Sequence, residues 1–492
     1  MKLQKLISVL EGFTISGRKD IEINGITTDS NNIKSGFAFI GIKGAKADGH
    51  DFVNDAISRG AAALIVEKDV EVLEDITIIK VPDTKKILPL IADTFYDYPS
   101  NKMNVIGVTG TNGKTTTTYF IDRILRKAGH KTGIIGTINY RIGERIIPAV
   151  NTTPDPIQLR ALFSQMLEAG IETVIMEVSS HAIAQQRIAG IEFDTCIFTN
   201  LTPEHLDYHE TLEKYQETKL QLFEQIGKNS KKDTVKKAII NIDDPVSRRF
   251  IDVCHVDIIT YGLNTNASVY ATDIRSTLNG SCFRLHISTD KSIEVKINLA
   301  GKYNIYNALA ATSAALAFGL SLDEIKSGLE SLKSVPGRFE KITTNTDFNV
   351  IIDYAHTPDG MKQVLSAARA LKPNGIITVF GCGGDRDRLK RPQMGRIASE
   401  LSDYIIITSD NPRTEDPMNI IEEIIHGIKD IGSPAIGIMP DRKNAIKRAI
   451  ELAKKNDLVM ILGKGHETYQ VLKDTIVPFD DRQVVKEILG FV

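Results

Sequence analysis

The sequence Val-Ile-Gly-Val-Thr-Gly-Thr-Asn-Gly-Lys-Thr-Thr, residues 105–116, is the most informative local signal in this chain. An apolar run ends at Val108, a loop with two glycines follows, and apolar residues then recur at helical spacing. In such an arrangement the backbone N–H groups and the helix N-terminus bind an anion, Lys114 adds a positive charge, and the Thr115 hydroxyl can reach Mg²⁺. We therefore predict a site for a nucleoside triphosphate.

This loop departs from the strict G-x-x-x-x-G-K-[ST] pattern, because Val108 stands at the first glycine position. The alternative interpretation is a tight glycine turn in which Lys and Thr occur by chance. We favour phosphate binding, because the strand, the loop and the helix are all predicted in the order that a phosphate site needs.

Outward from this stretch the chain divides into three predicted α/β domains. Residues 1–100 form a small α/β domain with four short β-rich segments: Ile21–Ile26, Gly36–Ile42, Ala62–Glu67 and Ile76–Val81. Tyr98-Pro99-Ser100 borders a central domain, 101–336, whose alternating apolar runs and helical segments predict a parallel sheet like that of P-loop ATPases. After Val335-Pro336-Gly337 a third domain, 337–492, is predicted as an open, doubly wound, Rossmann-like sheet. Its four apolar runs are 349–352, 375–380, 404–408 and 457–462.

Composition excludes several functional classes. The 492 residues include 60 Lys plus Arg and 62 Asp plus Glu, a net charge of −2, so generic binding to nucleic acid is disfavoured. Hydrophobic residues at 42% and charged residues at 25% exclude a disordered chain and a coiled coil. The four cysteines are too scattered for a zinc site or a disulfide framework: Cys196, Cys254, Cys282 and Cys382.

The sequence carries no membrane or export signal. No apolar run approaches the roughly 20 residues of a membrane-spanning helix, and the N-terminus lacks the pattern of a signal peptide. We expect a soluble, cytoplasmic monomer without nucleic-acid or membrane partners, although no residue pattern speaks to oligomeric state. The Lys-rich stretch 228–237 is interpreted as a solvated loop and helix face rather than a phosphate-binding patch, because it contains neither aromatic residues nor glycine.

Two further segments carry candidate catalytic groups. The apolar run 173–176 ends at Glu177, which would place a carboxylate at the carboxyl end of a buried strand, and hard cations prefer such oxygen ligands. A capping or solvated glutamate is the alternative. Residues 200–209 contain two histidines and two carboxylates, and a plain polar loop is the alternative there.

Six ordered blocks resemble the Mur ligase family, the ATP-dependent amino-acid ligases of peptidoglycan assembly, and the resemblance covers essentially the whole chain. The blocks are G-T-N-G-K-T-T at 110–116, E-V-S-S-H at 177–181, T-N-L-T-P-E-H-L-D-Y-H at 199–209, Y-N-I-Y-N-A at 303–308, P-G-R-F-E at 336–340 and D-Y-A-H-T-P-D at 353–359. Four more resemble the members that add the third amino acid: N-T-T-P at 151–154, G-C-G-G-D-R-D at 381–387, D-N-P-R at 410–413 and G-K-G-H-E at 463–467.

The resemblance implies that ATP and Mg²⁺ are the cofactors and that an acyl phosphate activates the D-glutamate carboxylate. It implies a set of ATP-binding residues in the loop and beyond it: Thr109, Gly110, Thr111, Asn112, Gly113, Lys114, Thr115, Asn304, Asn307, Arg338 and Asp353. It implies four magnesium-site residues: Thr115, Glu177, His205 and Lys219. Lys219 would be carboxylated by CO₂ to a carbamate that can support a second Mg²⁺, although its spacing alone favours a surface helix lysine. Lys114, Lys219, Glu177, His205 and Arg338 would form the catalytic set, with closure of the domains on substrate.

The resemblance also implies two small-molecule substrates, UDP-N-acetylmuramoyl-L-Ala-D-Glu and meso-diaminopimelate. Ser30 would contact the uridine nucleotide. The muramoyl dipeptide would be held by Asn151, Thr152, Thr153, Ser179, Gln185 and Arg187. Diaminopimelate would be held by Arg386, Asp410, Asn411, Pro412, Arg413, Gly463 and Glu467. In this interpretation Arg413 binds the distal carboxylate, because Arg suits bidentate recognition. The alternative is a surface ion pair between Arg413 and Glu415 or Asp416.

Two competing hypotheses remain at this point. Folylpolyglutamate synthetase resembles the central block, but the separate first domain and D-N-P-R at 410–413 argue against it. A nucleotide-dependent switch is the hypothesis from another functional class. The chain has no N-K-x-D guanine motif, and acids and bases at three strand ends favour an enzyme with several substrates.

Overall fold

Three β-sheets succeed one another along the chain in the computed structural model, which describes residues 1–44, 47–72, 75–228, 230–287, 291–428 and 435–490. A two-stranded hairpin follows the last strand of the third sheet. No helix in these ranges is both long enough and apolar enough to cross a bilayer. The predicted α/β architecture in three parts is confirmed.

The first sheet is built from short elements near the N-terminus. These elements are α1 Leu3–Ile7, β1 Thr14–Ser16, β2 Gly25–Thr27, β3 Phe37–Ile40, α2 Val53–Ser58, β4 Ala61–Val66, β5 Thr77–Lys80 and α3 Thr84–Phe95. The strand order is β1-β5-β4-β3-β2, and only β1 is antiparallel to its neighbour. Each predicted β-rich segment overlaps a strand, although Ile21–Ile26 shares only Gly25 and Ile26 with β2. Strand β1 was not predicted, because its three residues are largely exposed and give no apolar pattern.

The central sheet has eleven strands. Its strands are β6 Asn104–Thr109, β7 Thr132–Ile135, β8 Asn139–Ile142, β9 Arg145–Pro148, β10 Thr173–Glu177, β11 Thr195–Phe198, β12 Lys237–Asn241, β13 Asp257–Gly262, β14 Val269–Thr277, β15 Gly280–His286 and β16 Ser292–Ile297. Its helices are α4 Lys114–Lys127, α5 Pro156–Glu168, α6 Ser180–Ala184, α7 Leu206–His209, α8 Leu212–Gln225, α9 Ser247–Val253, α10 Lys302–Ala317 and α11 Leu322–Ser331.

The prediction of a parallel central sheet holds for its middle and is wrong at both edges. The order is β16-β15-β14-β13-β12-β11-β6-β10-β7-β8-β9, and pairing is parallel from β14 to β7. The strand pairs β7–β8, β8–β9, β14–β15 and β15–β16 are antiparallel. Short turns such as Gly143-Glu144 join the edge strands, and a connection of that length can join only antiparallel neighbours. Strand β6 is buried in the middle, so its two faces contribute to separate hydrophobic clusters above and below the sheet.

The Lys-rich stretch 228–237 is only partly the solvated segment that was expected. The side chains of Lys232 and Lys236 are buried and form ion pairs with Asp194 at 2.6 and 2.8 Å, while Lys237 begins β12. Asp194 is itself buried beside the start of β11, and a buried carboxylate is stable only with cationic and hydrogen-bonding partners. The two lysines therefore serve the fold.

The third sheet is doubly wound. Its elements are β17 Glu340–Ile342, β18 Asn349–Asp353, α12 Pro358–Ala370, β19 Ile376–Phe380, α13 Lys390–Leu401, β20 Tyr404–Ile407, α14 Pro417–Ile425, β21 Ala435–Ile438, α15 Arg442–Leu452, β22 Leu458–Leu462, β23 Tyr469–Leu472, β24 Thr475–Pro478 and α16 Asp481–Leu489. The order is β17-β18-β22-β19-β20-β21, with only β17 antiparallel. All four predicted apolar runs are strands, and two hydrophobic clusters cover the two faces. Ligand sites in such a sheet lie beyond the carboxyl ends of the strands.

Candidate active site

A cavity of about 1870 Å³ opens at the carboxyl ends of strands from the central and third sheets. Among the described residues, those that line it all fall between Thr111 and Tyr469, so the first sheet contributes none. The loop after β6 and the end of β10 supply one wall. The segments that follow β18, β19, β20 and β22 supply the other. The cavity therefore brings together motifs as distant in the sequence as residues 110–116 and 463–467.

The loop after β6 has the geometry of a phosphate-binding loop. Gly110 and Gly113 have positive φ angles of 141° and 87°. A Cβ at Gly110 would lie 1.9 Å from the Thr199 hydroxyl, and one at Gly113 would lie 2.4 Å from Oδ1 of Asn307. Both positions thus need glycine for conformation and for space. Helix α4 begins at Lys114 immediately after the loop, so its N-terminus faces the same space.

Lys114 folds back over this loop. Its Nζ donates to the carbonyl oxygens of Gly110 and Thr111, each at 2.8 Å, and burial lowers its pKa from the ordinary value. These two carbonyls hold the ammonium beside the loop. Of the predicted loop residues, Thr111 to Thr115 line the cavity, whereas Thr109 and Gly110 lie behind it.

Glu177 joins the loop to the end of β10. Strands β10 and β6 are parallel with Glu177 opposite Val108, which carries the carboxylate to the loop. Its Oε2 accepts hydrogen bonds from the hydroxyls of Thr115 at 3.1 Å and Thr137 at 3.0 Å. Glu177 is 1% exposed, and it forms no ion pair with any described Lys, Arg or His side chain. A buried carboxylate of this kind, with a threonine hydroxyl beside it, is a suitable oxygen ligand for Mg²⁺.

His205 lies in a cluster of aromatic rings at the start of α7. Its ring centroid is 4.7 Å from that of His181 and 6.2 Å from that of Tyr215. Burial, reinforced by the neighbouring His181, lowers the pKa of His205 to about 3. The ring is therefore neutral near pH 7, which is the state in which imidazole binds metals.

Lys219 is a buried lysine rather than the surface lysine that its spacing suggested. It is 1% exposed on α8, and its ammonium lies 4.5 Å from the centroid of the Tyr215 ring. It forms no ion pair within the described part of the chain. Burial, and secondarily the charge of Lys114, lower the pKa of Lys219 well below its ordinary value.

The four predicted magnesium-site residues are only partly together. Thr115, Glu177 and His205 line the cavity, and Lys219 lies behind it. Over the described ranges, no group of three or more His, Cys, Asp or Glu side chains is close enough to hold a metal ion. The predicted set includes a threonine and a modified lysine, so such a group is not required.

A second group of predicted nucleotide residues lies along the same cavity. Asn307 donates to Oδ1 of Asn304 at 3.1 Å and accepts from the Thr117 hydroxyl at 3.4 Å. Asp353 accepts from the backbone N–H groups of Phe339 at 2.6 Å and Ala355 at 2.8 Å, and burial raises its pKa. Asn307 and Asp353 line the cavity, and Asn304 supports Asn307 from the interior.

Contacts between the central and third sheets cross this cavity. Arg338 donates to the Thr115 hydroxyl at 3.1 Å, and its guanidinium carbon lies 4.9 Å from the centroid of the Tyr354 ring. Asp359, in the first turn of α12, accepts from the Asn112 amide at 2.7 Å. The hydroxyl of Thr202 donates to the same Asp359 oxygen at 3.2 Å. The phosphate-binding loop is thus tied directly to the third sheet.

The D-N-P-R segment lies at the other end of the cavity. Arg413 donates through Nη1 to the Gly384 carbonyl at 2.7 Å and has no carboxylate partner among the described residues. The alternative ion pair with Glu415 or Asp416 is absent. Glu415 pairs instead with the fully buried Arg391 at 2.8 Å, and Asp416 caps α14. The cavity is also lined at this end by Arg386, Asp410, Asn411, Gly463 and Glu467, but not by Pro412.

Only some of the residues predicted to bind the UDP-linked substrate line the cavity. Asn151, Thr152 and Ser179 line the cavity. Arg187 instead holds Gln185 and the Thr153 carbonyl by hydrogen bonds, and the Thr153 hydroxyl donates to the Glu177 carbonyl at 2.8 Å. These three residues therefore do not line the cavity. Ser30 begins a one-turn helix in the first sheet region and lies away from the cavity.

Sequence reasoning missed Thr137 and Asp359. Thr137 follows β7 and binds both carboxylate oxygens of Glu177, Oε1 through its N–H at 2.9 Å and Oε2 through its hydroxyl. No motif surrounds it, so no local signal identified it. Asp359 ends the quoted D-Y-A-H-T-P-D block, and its partner Asn112 lies 247 residues away.

Comparison with known proteins gives matches over the whole chain. Family models match in three places: the Mur ligase family catalytic domain at 22–96, the Mur ligase middle domain at 108–315, and the glutamate ligase domain of Mur ligases at 337–465. The UDP-N-acetylmuramoyl-L-alanyl-D-glutamate–2,6-diaminopimelate ligase of Bacillus cereus is 42% identical over 489 residues, covering 99% of this chain and 98% of the relative. The protein of the same name from Clostridium perfringens is 45% identical over 500 residues, covering 99% of each.

A solved structure of a UDP-N-acetylmuramoyl-L-alanyl-D-glutamate–2,6-diaminopimelate ligase has the same arrangement of elements. It superposes with a TM-score of 0.68 at 31% identity, covering 100% of this chain and 99% of that one. The similarity extends through all three sheets.

Proposed function

The chain belongs to the Mur ligase family, and from this premise we propose that it adds meso-diaminopimelate to the D-glutamate of UDP-N-acetylmuramoyl-L-Ala-D-Glu. It is an ATP-dependent ligase that forms a C–N bond. The observation that carries the proposal is full-length identity of 42–45% to ligases of that name, combined with one cavity that is lined both by the phosphate loop and by Arg413 and its neighbours. The reaction belongs to the synthesis of peptidoglycan precursors for the cell wall, which we place in the cytoplasm.

The chemistry explains why two sheets are needed at one cavity. A carboxylate is a poor acyl donor, so the D-glutamate γ-carboxylate must first receive a phosphoryl group to form an acyl phosphate. The amine of the incoming amino acid then attacks the carbonyl carbon, and phosphate leaves. The protein's contribution to such a transfer is positioning and electrostatic stabilisation. We assign phosphate binding to residues 110–115 and the neutralisation of developing charge to Lys114 and Arg338.

Mg²⁺ would be held by Thr115, Glu177 and His205. The fit is supported by the buried Glu177 carboxylate without a cationic partner and by the neutral ring of His205. When bound, the ion would supply a positive charge that polarises the phosphoryl oxygens. Thr137 would keep the Glu177 carboxylate in orientation through its two hydrogen bonds.

We further propose that Lys219 is carboxylated. A neutral amine is the form that reacts with CO₂, and burial of Lys219 favours that form. The carbamate would place an anion near Lys114 that can support a second Mg²⁺. Tyr215, whose ring packs against the Lys219 ammonium, would form one side of this pocket.

The three sheets would divide the substrates among them. We assign residues 1–100 to the UDP moiety through Ser30, 101–336 to ATP, and 337–492 to the amino acid. Asn151, Thr152 and Ser179 would contact the muramoyl dipeptide, with Thr153, Gln185 and Arg187 supporting them. Asn304, Asn307 and Asp353 would flank the nucleotide. We propose that the protein acts as a monomer.

Selection of diaminopimelate is assigned to the D-N-P-R end of the cavity. Arg413 has unpaired N–H groups and no carboxylate partner in the described chain, so it can receive the distal carboxylate in a bidentate manner. Arg386 adds a second positive charge, and Glu467 and the Gly463 carbonyl offer acceptors for the distal ammonium. Asp410 and Asn411 flank these acceptors, and Pro412 shapes the loop.

A phosphate-release assay tests the proposed function. The enzyme is mixed with ATP, Mg²⁺ and UDP-N-acetylmuramoyl-L-Ala-D-Glu, and a panel of amino acids is added one at a time. We expect phosphate release to require both the acceptor and diaminopimelate. Turnover without an amine would support a nucleotide switch, and equal turnover with L-lysine would contradict the assigned specificity.

A further inference from the structure

Lys464 is a buried cation that touches two residues of the cavity without lining it. Its side chain is 0% exposed, and its ammonium donates to Oδ1 of Asn411 at 3.1 Å and to Oε2 of Glu467 at 2.9 Å. The Asn411 amide nitrogen donates to the same Glu467 oxygen at 3.0 Å. Asn411 and Glu467 both line the cavity. The three side chains therefore form a closed set of hydrogen bonds with Lys464 on its inner side.

The ammonium determines which atoms of its two partners stay available. A lysine ammonium can only donate hydrogen bonds, so Asn411 must present its amide oxygen to Lys464. The backbone N–H of Val471 donates to that same oxygen at 3.0 Å, which locks the orientation of the amide. The second carboxylate oxygen of Glu467, Oε1, accepts no hydrogen bond from the described residues. One acceptor is thus held in place while another is left for a ligand.

Charge gives a second reason for this arrangement. Glu467 side-chain exposure is only 16%, and a largely buried carboxylate without a cation is unstable or changes rotamer. Asp410 lines the same end of the cavity and would repel an uncompensated Glu467. The Lys464 ammonium offsets that charge from the protein interior, where it does not occupy space needed by a substrate.

We propose that Lys464 is a positioning residue that fixes the Asn411 amide and orients the Glu467 carboxylate to receive the distal ammonium of the amino-acid substrate. The inference rests on the proposed function, because it takes diaminopimelate as that substrate. Lys464 acts through its two partners and does not itself touch the substrate.

The test compares Lys464→Met with wild type in steady-state assays of the full-length enzyme. Loss of a hydrogen bond to a charged group predicts a rise in KM for diaminopimelate of about 10- to 100-fold. The KM values for ATP and for the UDP-linked acceptor should stay within about twofold, since the phosphate loop is unaffected. Lys443→Met is the matched control, because Lys443 forms an exposed ion pair with Glu487 in the same sheet region.

A double variant separates positioning from general damage. If Lys464 acts through Glu467, then Lys464→Met combined with Glu467→Gln should be little worse than Glu467→Gln alone. Lys464→Gln retains a donor and should recover part of the affinity, and it replaces the Met variant if that variant does not fold.

The proposal is overturned if wild type adds diaminopimelate and the Lys464 variants have the same KM for diaminopimelate as wild type. It is also overturned if all three substrates lose affinity equally, or if the effects of the two substitutions add. Absence of diaminopimelate addition by wild type would instead overturn the proposed function, so the two failures are distinguishable.

Discussion

Replacement of Arg413 by alanine should remove the preference for diaminopimelate. The Arg413 guanidinium has one short hydrogen bond, to the Gly384 carbonyl, and within the described residues Nε and Nη2 donate none. Two charge-assisted hydrogen bonds to a carboxylate contribute about 1.5–3 kcal/mol each before the loss of solvation. We therefore expect a net loss of about 3–4 kcal/mol of transition-state binding, or roughly 100- to 1000-fold in kcat/KM for diaminopimelate.

The assay is kcat/KM for diaminopimelate and for L-lysine in wild type, Arg413→Ala and Arg413→Lys. L-Lysine lacks the distal carboxylate, so the kcat/KM for L-lysine should hardly change. The ratio of kcat/KM for diaminopimelate to kcat/KM for L-lysine should therefore fall. Residue 413 has a positive φ of 52°, and the resulting backbone strain is common to all three enzymes because none of them has glycine at that position. Arg396→Ala, which removes an exposed helix arginine paired with Glu400, is the control. An unchanged preference in Arg413→Ala would refute the assignment.

Three further predictions concern the loop, the buried lysine and the third sheet. Lys114→Ala should abolish ligation with a near-normal melting temperature in calorimetry, since its ammonium contacts only loop carbonyls, and retained activity would contradict its role. Lys219→Ala should be inactive, and acetate should partly restore its activity. Wild type under ¹³CO₂ should give a carbamate NMR signal that the variant lacks. Absence of both the acetate rescue and the NMR signal would exclude the carbamate. The Arg391 guanidinium hydrogen-bonds Glu415 and lowers the pKa of Glu415 to about 2. A carboxyl group whose pKa is lower in the folded state than in the unfolded state stabilises the fold at pH values above its unfolded pKa. The free energy of unfolding in urea should therefore be higher for wild type than for Glu415→Gln by up to about 3 kcal/mol at pH 5–7. This difference should shrink from about pH 4.5 toward pH 2, and a pH-independent difference would contradict the ion pair.

Local sequence predicted the parts of the site that are contiguous. The phosphate loop is specified within residues 105–116, because glycine conformation, the lysine and the helix start all follow one another there. The D-N-P-R segment at 410–413 likewise follows the predicted apolar run 404–408, which forms β20. Such segments depend on short-range backbone geometry, which a short sequence determines.

Partners that come from distant segments could not be predicted. The alternative ion pair of Arg413 with Glu415 or Asp416 could not be decided from spacing, because Glu415 pairs with the fully buried Arg391 from the distant helix α13. The spacing of Lys219 predicted a surface lysine, but the packing of α8 buries its side chain. The antiparallel edges of the central sheet were missed because short turns, rather than residue composition, decide strand direction there.

The most direct test of the ligase mechanism follows an oxygen atom. UDP-N-acetylmuramoyl-L-Ala-D-Glu labelled with ¹⁸O in the γ-carboxylate is incubated with the enzyme, ATP, Mg²⁺ and diaminopimelate, and both products are analysed by mass spectrometry. If an acyl phosphate forms and the amine expels phosphate from it, the tripeptide product appears and the phosphate released with it carries one ¹⁸O. Tripeptide with unlabelled phosphate would contradict the acyl phosphate, and labelled substrate recovered without any tripeptide would contradict the ligase function itself.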